Sequence, residues 1–170
     1  MAARLKSPDT KKITIALQAI ERKVSDGGVL RVGFLEDARY PAKAPSKKFS
    51  GKASPKGGVK SAPPLHVAQV AFWNEFGTKR APARPFFRTT IAQESKKWGE
   101  HLGKAIKHYN YNGELALRAV GQEMRDDIEA SIQRWTTPGN AAYTIRRKGF
   151  DKPLIHTSVM VRAPDFEIAK

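Results

Sequence analysis

Val67–Arg88, VAQVAFWNEFGTKRAPARPFFR, reads as a short aromatic helix that stops at a glycine and gives way to a proline-punctuated extended segment. Val67, Val70, Ala71 and Phe76, flanked by Phe72 and Trp73, supply the apolar positions. Gly77 has the freedom to adopt the left-handed conformation that closes helices. Three aromatics in five residues predict a heavily buried helix end, a core cluster rather than a contact surface. Pro82 and Pro85 disfavour helix for the residues just before them, so KRAPARPFF is expected to be extended, with Arg84 and Arg88 flanking Phe86 and Phe87. The segment reads as a clasp, not a catalytic loop, and the two arginines are expected to fix it against the C-terminal strand or an adjacent subunit.

Outward from the clasp the chain alternates helical and extended patterns. Upstream, Ile13, Leu17, Ile20 and Val24 recur at the spacing of one helical face, with Ser7 or Asp9 as N-cap and Gly27-Gly28 as the stop. Leu30, Val32 and Phe34 then alternate with Arg31, Gly33 and Leu35, a period-two pattern that predicts a strand with one buried face. Downstream, Ile91, Trp98, Leu102, Ala105, Ile106 and Tyr109 mark one face of a helix from about Thr89 to Tyr109, a rod of roughly 30 Å. After a turn at Asn110 to Gly113, a second stripe runs through Leu117, Val120, Met124, Ile128, Ile132 and Trp135. Glu123, Arg125, Asp126, Asp127 and Glu129 are expected mostly on its wet side. The two helices are expected to pair as an antiparallel hairpin. TPGN breaks the second, Ala141–Arg147 can form another short helix ended by Lys148-Gly149, and a single terminal strand is expected at Phe166–Ala169, with Thr157 available to cap a helical turn before it. The fold class predicted is α+β: a small antiparallel sheet packed against several helices, including a long helical hairpin, with an extended basic arm, all in one domain spanning 1–170.

The chain carries 31 Lys and Arg against 16 Asp and Glu, a formal net charge of +15. Such a surface repels its own copies and attracts polyanions. Much of the excess lies in residues 41–64, PAKAPSKKFSGKASPKGGVKSAPP, where Lys43, Lys47, Lys48, Lys52, Lys56 and Lys60 meet no acidic residue. Apart from Phe49 and Val59 this arm has nothing sizeable to bury. Its composition predicts a mobile loop that orders against a partner. Zero cysteines remove disulfides and thiolate chemistry. No apolar run approaches the ~20 residues of a membrane span, and MAARLKSPDTKK lacks the apolar core of a secretion signal, so a soluble protein made in the cytoplasm is expected.

Catalytic patterns are weak. His66, His101, His108 and His156 lie too far apart for the two-histidine helical zinc motif. Asp126 and Asp127 are neighbours on a helix and point in different directions, which favours a solvated surface over a converging carboxylate pair. There is no Gly-rich phosphate loop, nucleophile elbow or dinucleotide fingerprint. No enzyme, metal site or cofactor is expected. Lysines on a flexible arm would neutralise phosphates without reading bases, so a sequence-independent DNA-binding protein is the alternative reading; Arg146, Arg147 and Lys148 can join such a surface or complement the carbonyl end of a short helix. No helix shows a dense basic face with interleaved aromatics.

VAFWNEFGTKRAPARPFFRTTI resembles the "NEFGT…iPaRPFlR" stretch of the tail-component, or tail-completion, proteins of long-tailed bacteriophages. Trp73, Asn74, Glu75, Phe76, Gly77, Thr78, Arg84, Pro85, Phe86 and Arg88 carry that likeness. TPGNAAYTIRRKGFDKPLIHTS resembles the same group's "PPN…T…RKG…KPLIDTG" segment through Asn140, Thr144, Arg147, Lys148, Gly149, Pro153, Leu154, Ile155 and Thr157. His156 stands where that family carries Asp, and Ser158 where it carries Gly. The resemblance covers roughly residues 9–168, apart from the arm. It implies a structural virion protein, made in the host cytoplasm, that forms a homo-oligomeric ring of six copies at the head-to-tail interface or upper end of the tail. The role implied is tail completion and head-tail joining, with tail termination as the variant. Implied partners are the connector or stopper, the tail terminator and the tail tube, with genomic DNA in the channel as a further candidate and no membrane.

Overall fold

The computed structural model describes residues 10–41 and 64–170. Lys43, Lys47, Lys48, Lys52, Lys56 and Lys60 of the basic arm lie outside the described residues. In chain order the elements are α1 (Thr10–Ser25), β1 (Val29–Phe34), α2 (Val67–Phe76), α3 (Phe86–His108), α4 (Gly113–Arg134), α5 (Ala142–Lys148) and β2 (Pro164–Ala169). The class is α+β, with β1 and β2 pairing as a small antiparallel sheet. The described residues divide into two compact units, each assembled from separated stretches of chain. One draws on residues 10–33, 90–127 and 165–170, the other on residues 34–41, 64–89 and 128–164.

In the first unit, Trp98, Ala116 and Val120 are buried. α4 meets the sheet at Gly121, where a Cβ would lie 2.7 Å from the Phe166 ring and 2.8 Å from a Leu30 methyl. Only a residue without a side chain lets the helix approach so closely. The hairpin expected from the two apolar stripes forms, and polar groups as well as apolar ones join its helices. The Trp98 indole N–H donates to Asp127 at 2.8 Å, and a His101 ring nitrogen sits 2.7 Å from Glu123. The Lys97 ammonium lies 3.1 Å from Glu123 and 3.4 Å from Asp127. Its hydrogen bond to Glu123, with the charge of Asp127, raises the Lys97 pKa above the usual lysine value. Glu123 and Asp127 therefore face α3 and not the wet side expected for them, because a tryptophan N–H and a lysine on the opposing helix need acceptors. Asp126, one step round the helix, is exposed and receives Gln122 and Arg125. Asn112 caps α4 by accepting the Leu115 N–H at 3.0 Å. α1 has the predicted extent, yet Ile13, Leu17 and Val24 are exposed and Ile20 only half-buried. Its apolar face forms without being covered by the described residues.

The second unit is built on Val67, Ala71, Phe86, Ile128, Ile132, Met160 and Val161, all buried. Phe34, the last residue of β1, packs edge-on against Phe86 with ring centroids 6.1 Å apart. α3 starts at Phe86, three residues earlier than expected, so Phe86 and Phe87 belong to its first turn and not to the extended segment. Pro85 explains the difference: its carbonyl accepts the Thr89 N–H at 3.1 Å, and a proline just ahead of a helix forfeits no intrahelical bond. Beyond α5, residues 149–163 run through turns, with Leu154 and Ser158 at φ +62° and +59°. A single turn follows Thr157, closed by the Arg162 N–H on the Ser158 carbonyl at 3.2 Å, and the single terminal strand begins two residues earlier than expected.

Candidate interaction site

α2 has apolar residues all round, so periodicity alone does not choose its inward face. The choice is made by Glu75, which is only 6% exposed. Its carboxylate accepts the backbone N–H groups of Phe87 at 2.9 Å and Arg88 at 3.2 Å, two of the donors that the first turn of α3 leaves without intrahelical partners. The positive end of the α3 dipole favours the negative charge there. The Arg88 guanidinium lies 3.1 Å from the same carboxylate and donates to the Glu75 carbonyl at 3.1 Å. One buried acid thus ties the end of α2 to the start of α3.

Between those two ends the clasp folds back on α2. Thr78 and Ala81 exchange backbone hydrogen bonds, and the Thr78 hydroxyl accepts the N–H groups of Arg80 and Ala81. Gly77 turns the chain at φ +78°, ψ 178°, not in the left-handed helical conformation expected of it. A Cβ at that position would come within 2.8 Å of the Ala83 nitrogen. The Arg84 N–H donates to the Asn74 carbonyl at 2.7 Å, and the Asn74 side-chain amide donates to Val70 at 2.8 Å. The Arg84 guanidinium, buried, donates to the carbonyls of Pro138 at 3.0 Å and Gly139 at 2.8 Å. Burial lowers its pKa, and the charge of Asp151 works against that shift. Asp151 in turn accepts the backbone and side-chain N–H groups of Asn140. Arg84 and Arg88 therefore fix the clasp, but to the loop after α4 and to α2, and not to the C-terminal strand.

With Val67, Ala71 and Glu75 turned inward, the aromatics of α2 face out. Phe72 is 59% exposed, Trp73 40% and Phe76 56%, which overturns the expectation of a buried aromatic end. Phe72 and Phe76 pack on each other at a 41° tilt with centroids 4.6 Å apart, and Arg88 lies 5.0 Å over the Phe76 ring. Lys79 and Arg80 are exposed on the turn that follows. The result is a cationic-rimmed aromatic surface on a helix whose other face is locked by hydrogen bonds.

The second quoted segment is dispersed. Pro153 is buried, Leu154 half-buried and Thr157 exposed, and Ser158 holds the positive φ that glycine takes at least cost. Asn140 and Gly149 do local work: Gly149 closes α5 in the left-handed conformation with its N–H on the Ile145 carbonyl. Arg146 and Arg147 are exposed, whereas Lys148 turns back. Its ammonium donates to the Lys152 carbonyl at 2.6 Å and lies 4.9 Å over the Phe150 ring. Burial first, then the charge of Arg84, lowers the Lys148 pKa.

The sequence reading missed the carboxylate of Asp151 and the carbonyl pair at 138–139, which carry no side-chain signature of their own. It also missed the capping role of Glu75. The one acid of α2, ten residues before the proline that leads α3, is the available signal. Among the described residues no helix is long and apolar enough to cross a membrane. Compared with family models, curated proteins and solved structures, the chain matches none.

Proposed function

We propose that this chain is a structural subunit of a bacteriophage neck or upper tail, assembling as a ring of six copies in which the outward aromatic face of α2 is the contact between subunits. The observation that carries the reading is that face: Phe72, Trp73 and Phe76 exposed together on a helix anchored through Glu75 and Arg84. Clustered aromatics rimmed by polar groups are the composition of interface centres, and a fixed helix presents them with little ordering cost on association. The residues that carry the likeness to tail-completion proteins support the same reading. Asn74, Glu75, Thr78, Arg84 and Phe86 each have a mechanical task in setting the clasp, and a mechanical part is what a ring subunit needs. Six copies at +15 each bring about +90 formal charges together, so acidic neighbouring rings, DNA or counterions must face them.

Sedimentation velocity of the purified chain at about 0.5 M salt, where the Debye length falls below ~5 Å, tests the contact. The wild type is expected to sediment as a closed oligomer and Phe72→Ser/Phe76→Ser as a folded monomer. A wild type that stays monomeric at every concentration, or a double variant that assembles as well as wild type, contradicts it.

A further inference from the structure

No residue of α5 is fully buried: Thr144, Ile145 and Lys148 are half-buried, and Tyr143, Arg146 and Arg147 are left outside. Tyr143, Arg146 and Arg147 stand at i, i+3 and i+4, which places them on one side of the helix. Tyr143 is 67% exposed, and both arginines are exposed. Arg31, Arg88, Arg118 and Arg125 are each paired with a carboxylate. Arg146 and Arg147, like Arg39, Arg80, Arg134 and Arg162, have no such partner among the described residues, and of these only Arg146 and Arg147 are neighbours in the chain. α5 itself contains no acidic residue. The acid that follows it, Asp151, already receives Asn140, and Lys148 is folded back onto Lys152. What remains outward is two free guanidinium groups and one phenol within a single turn.

We propose that this outer face of α5 binds the phosphate backbone of duplex DNA without reading its sequence. A guanidinium fork matches two phosphate oxygens and is only weakly hydrated, so it gives up little on contact. A tyrosine hydroxyl is a further donor to phosphate, and such contacts position a protein on a duplex while carrying no base information. The formal net charge of +15 on the chain favours a polyanion over a protein surface as the occupant. The surface shares no residue with the α2 contact and does not depend on the ring reading.

Fluorescence anisotropy of the full chain with a labelled random-sequence duplex of about 24 base pairs, titrated between ~50 and ~200 mM salt, tests it. The wild type is expected to bind with a dissociation constant of roughly 10⁻⁴–10⁻⁶ M near physiological salt. Arg146→Ala/Arg147→Ala is expected to reduce the slope of log K against log salt by about 1.8 and to weaken binding about tenfold at the low-salt end. Arg146→Lys/Arg147→Lys should keep most of the slope, since the charges remain. Lys96→Ala/Lys104→Ala, which removes two exposed charges from α3, should leave it unchanged. Absence of wild-type binding at the lowest salt overturns the proposal, as does an unchanged slope in the Arg146→Ala/Arg147→Ala protein or an equal loss in the Lys96→Ala/Lys104→Ala control. Polyglutamate competing as well as unlabelled duplex at equal charge overturns the assignment to DNA.

Discussion

At the residue scale, Glu75 does the work that a string of hydrophobic letters conceals. A buried carboxylate is tolerated because two N–H groups, one guanidinium and a helix dipole meet it. Glu75→Ala would leave those donors unmet and is expected to cost about 2–3 kcal/mol in urea unfolding, with Glu75→Gln costing less because an amide oxygen still accepts. The two faces of the aromatic run should separate in the same assay. Phe86→Ala, at a fully buried ring, is expected to cost about 3–5 kcal/mol. Phe72→Ala should cost only about 1–2 kcal/mol, the part of its surface that packing removes from water. Equal costs would mean that the outward face is covered within the monomer. The sequence announced the helix stop at Gly77 and the clasp prolines, but not which side of α2 is inside. That side is set by where the first turn of α3 aims its N–H groups, a tertiary fact with no local signature. The expectation that Trp73 belongs to a buried core cluster fails for the same reason.

At the scale of elements, the hairpin of α3 and α4 was legible because its apolar stripes run for five turns and more, long enough for period 3.6 to be unambiguous. Its boundaries are less so: a proline disfavours helix for the residue before it and also opens the helix after it, and Pro85 does the second. The polar seam was hidden, since Glu123 and Asp127 look like any solvated acids until Lys97, Trp98 and His101 are set opposite them. That seam makes a pH prediction. The Lys97 pKa is raised above its ordinary 10.5 in the fold, so the stabilisation it brings is fully present below that value and is lost as pH rises through the folded-state value. The stability difference between wild type and Lys97→Met should therefore be constant from neutral pH to about 10 and shrink above 10.5. A difference that stays flat through that range would detach Lys97 from the seam. The sheet was read from β1 with its alternation intact, whereas the uncovered apolar face of α1 could not be foreseen, because amphipathicity states that a face should be buried and not by what.

For the whole molecule, the charge balance and the two exposed surfaces set the conditions of association. A chain at +15 does not gather its copies unless apolar contact or an acidic partner offsets the repulsion. The α2 face supplies the first in our proposal, and neighbouring virion components supply the second. The basic arm, legible as the densest run of lysines, lies outside the described residues. The proposal is most directly tested by electron microscopy of lysates from a phage encoding this chain, with the gene deleted and then complemented by wild type or by Phe72→Ser/Phe76→Ser. Filled heads beside separate finished tails, rescued by the wild-type gene and not by the double variant, are the result the account predicts, with overlong tails marking termination in place of joining. Normal infectious particles without the gene would contradict it.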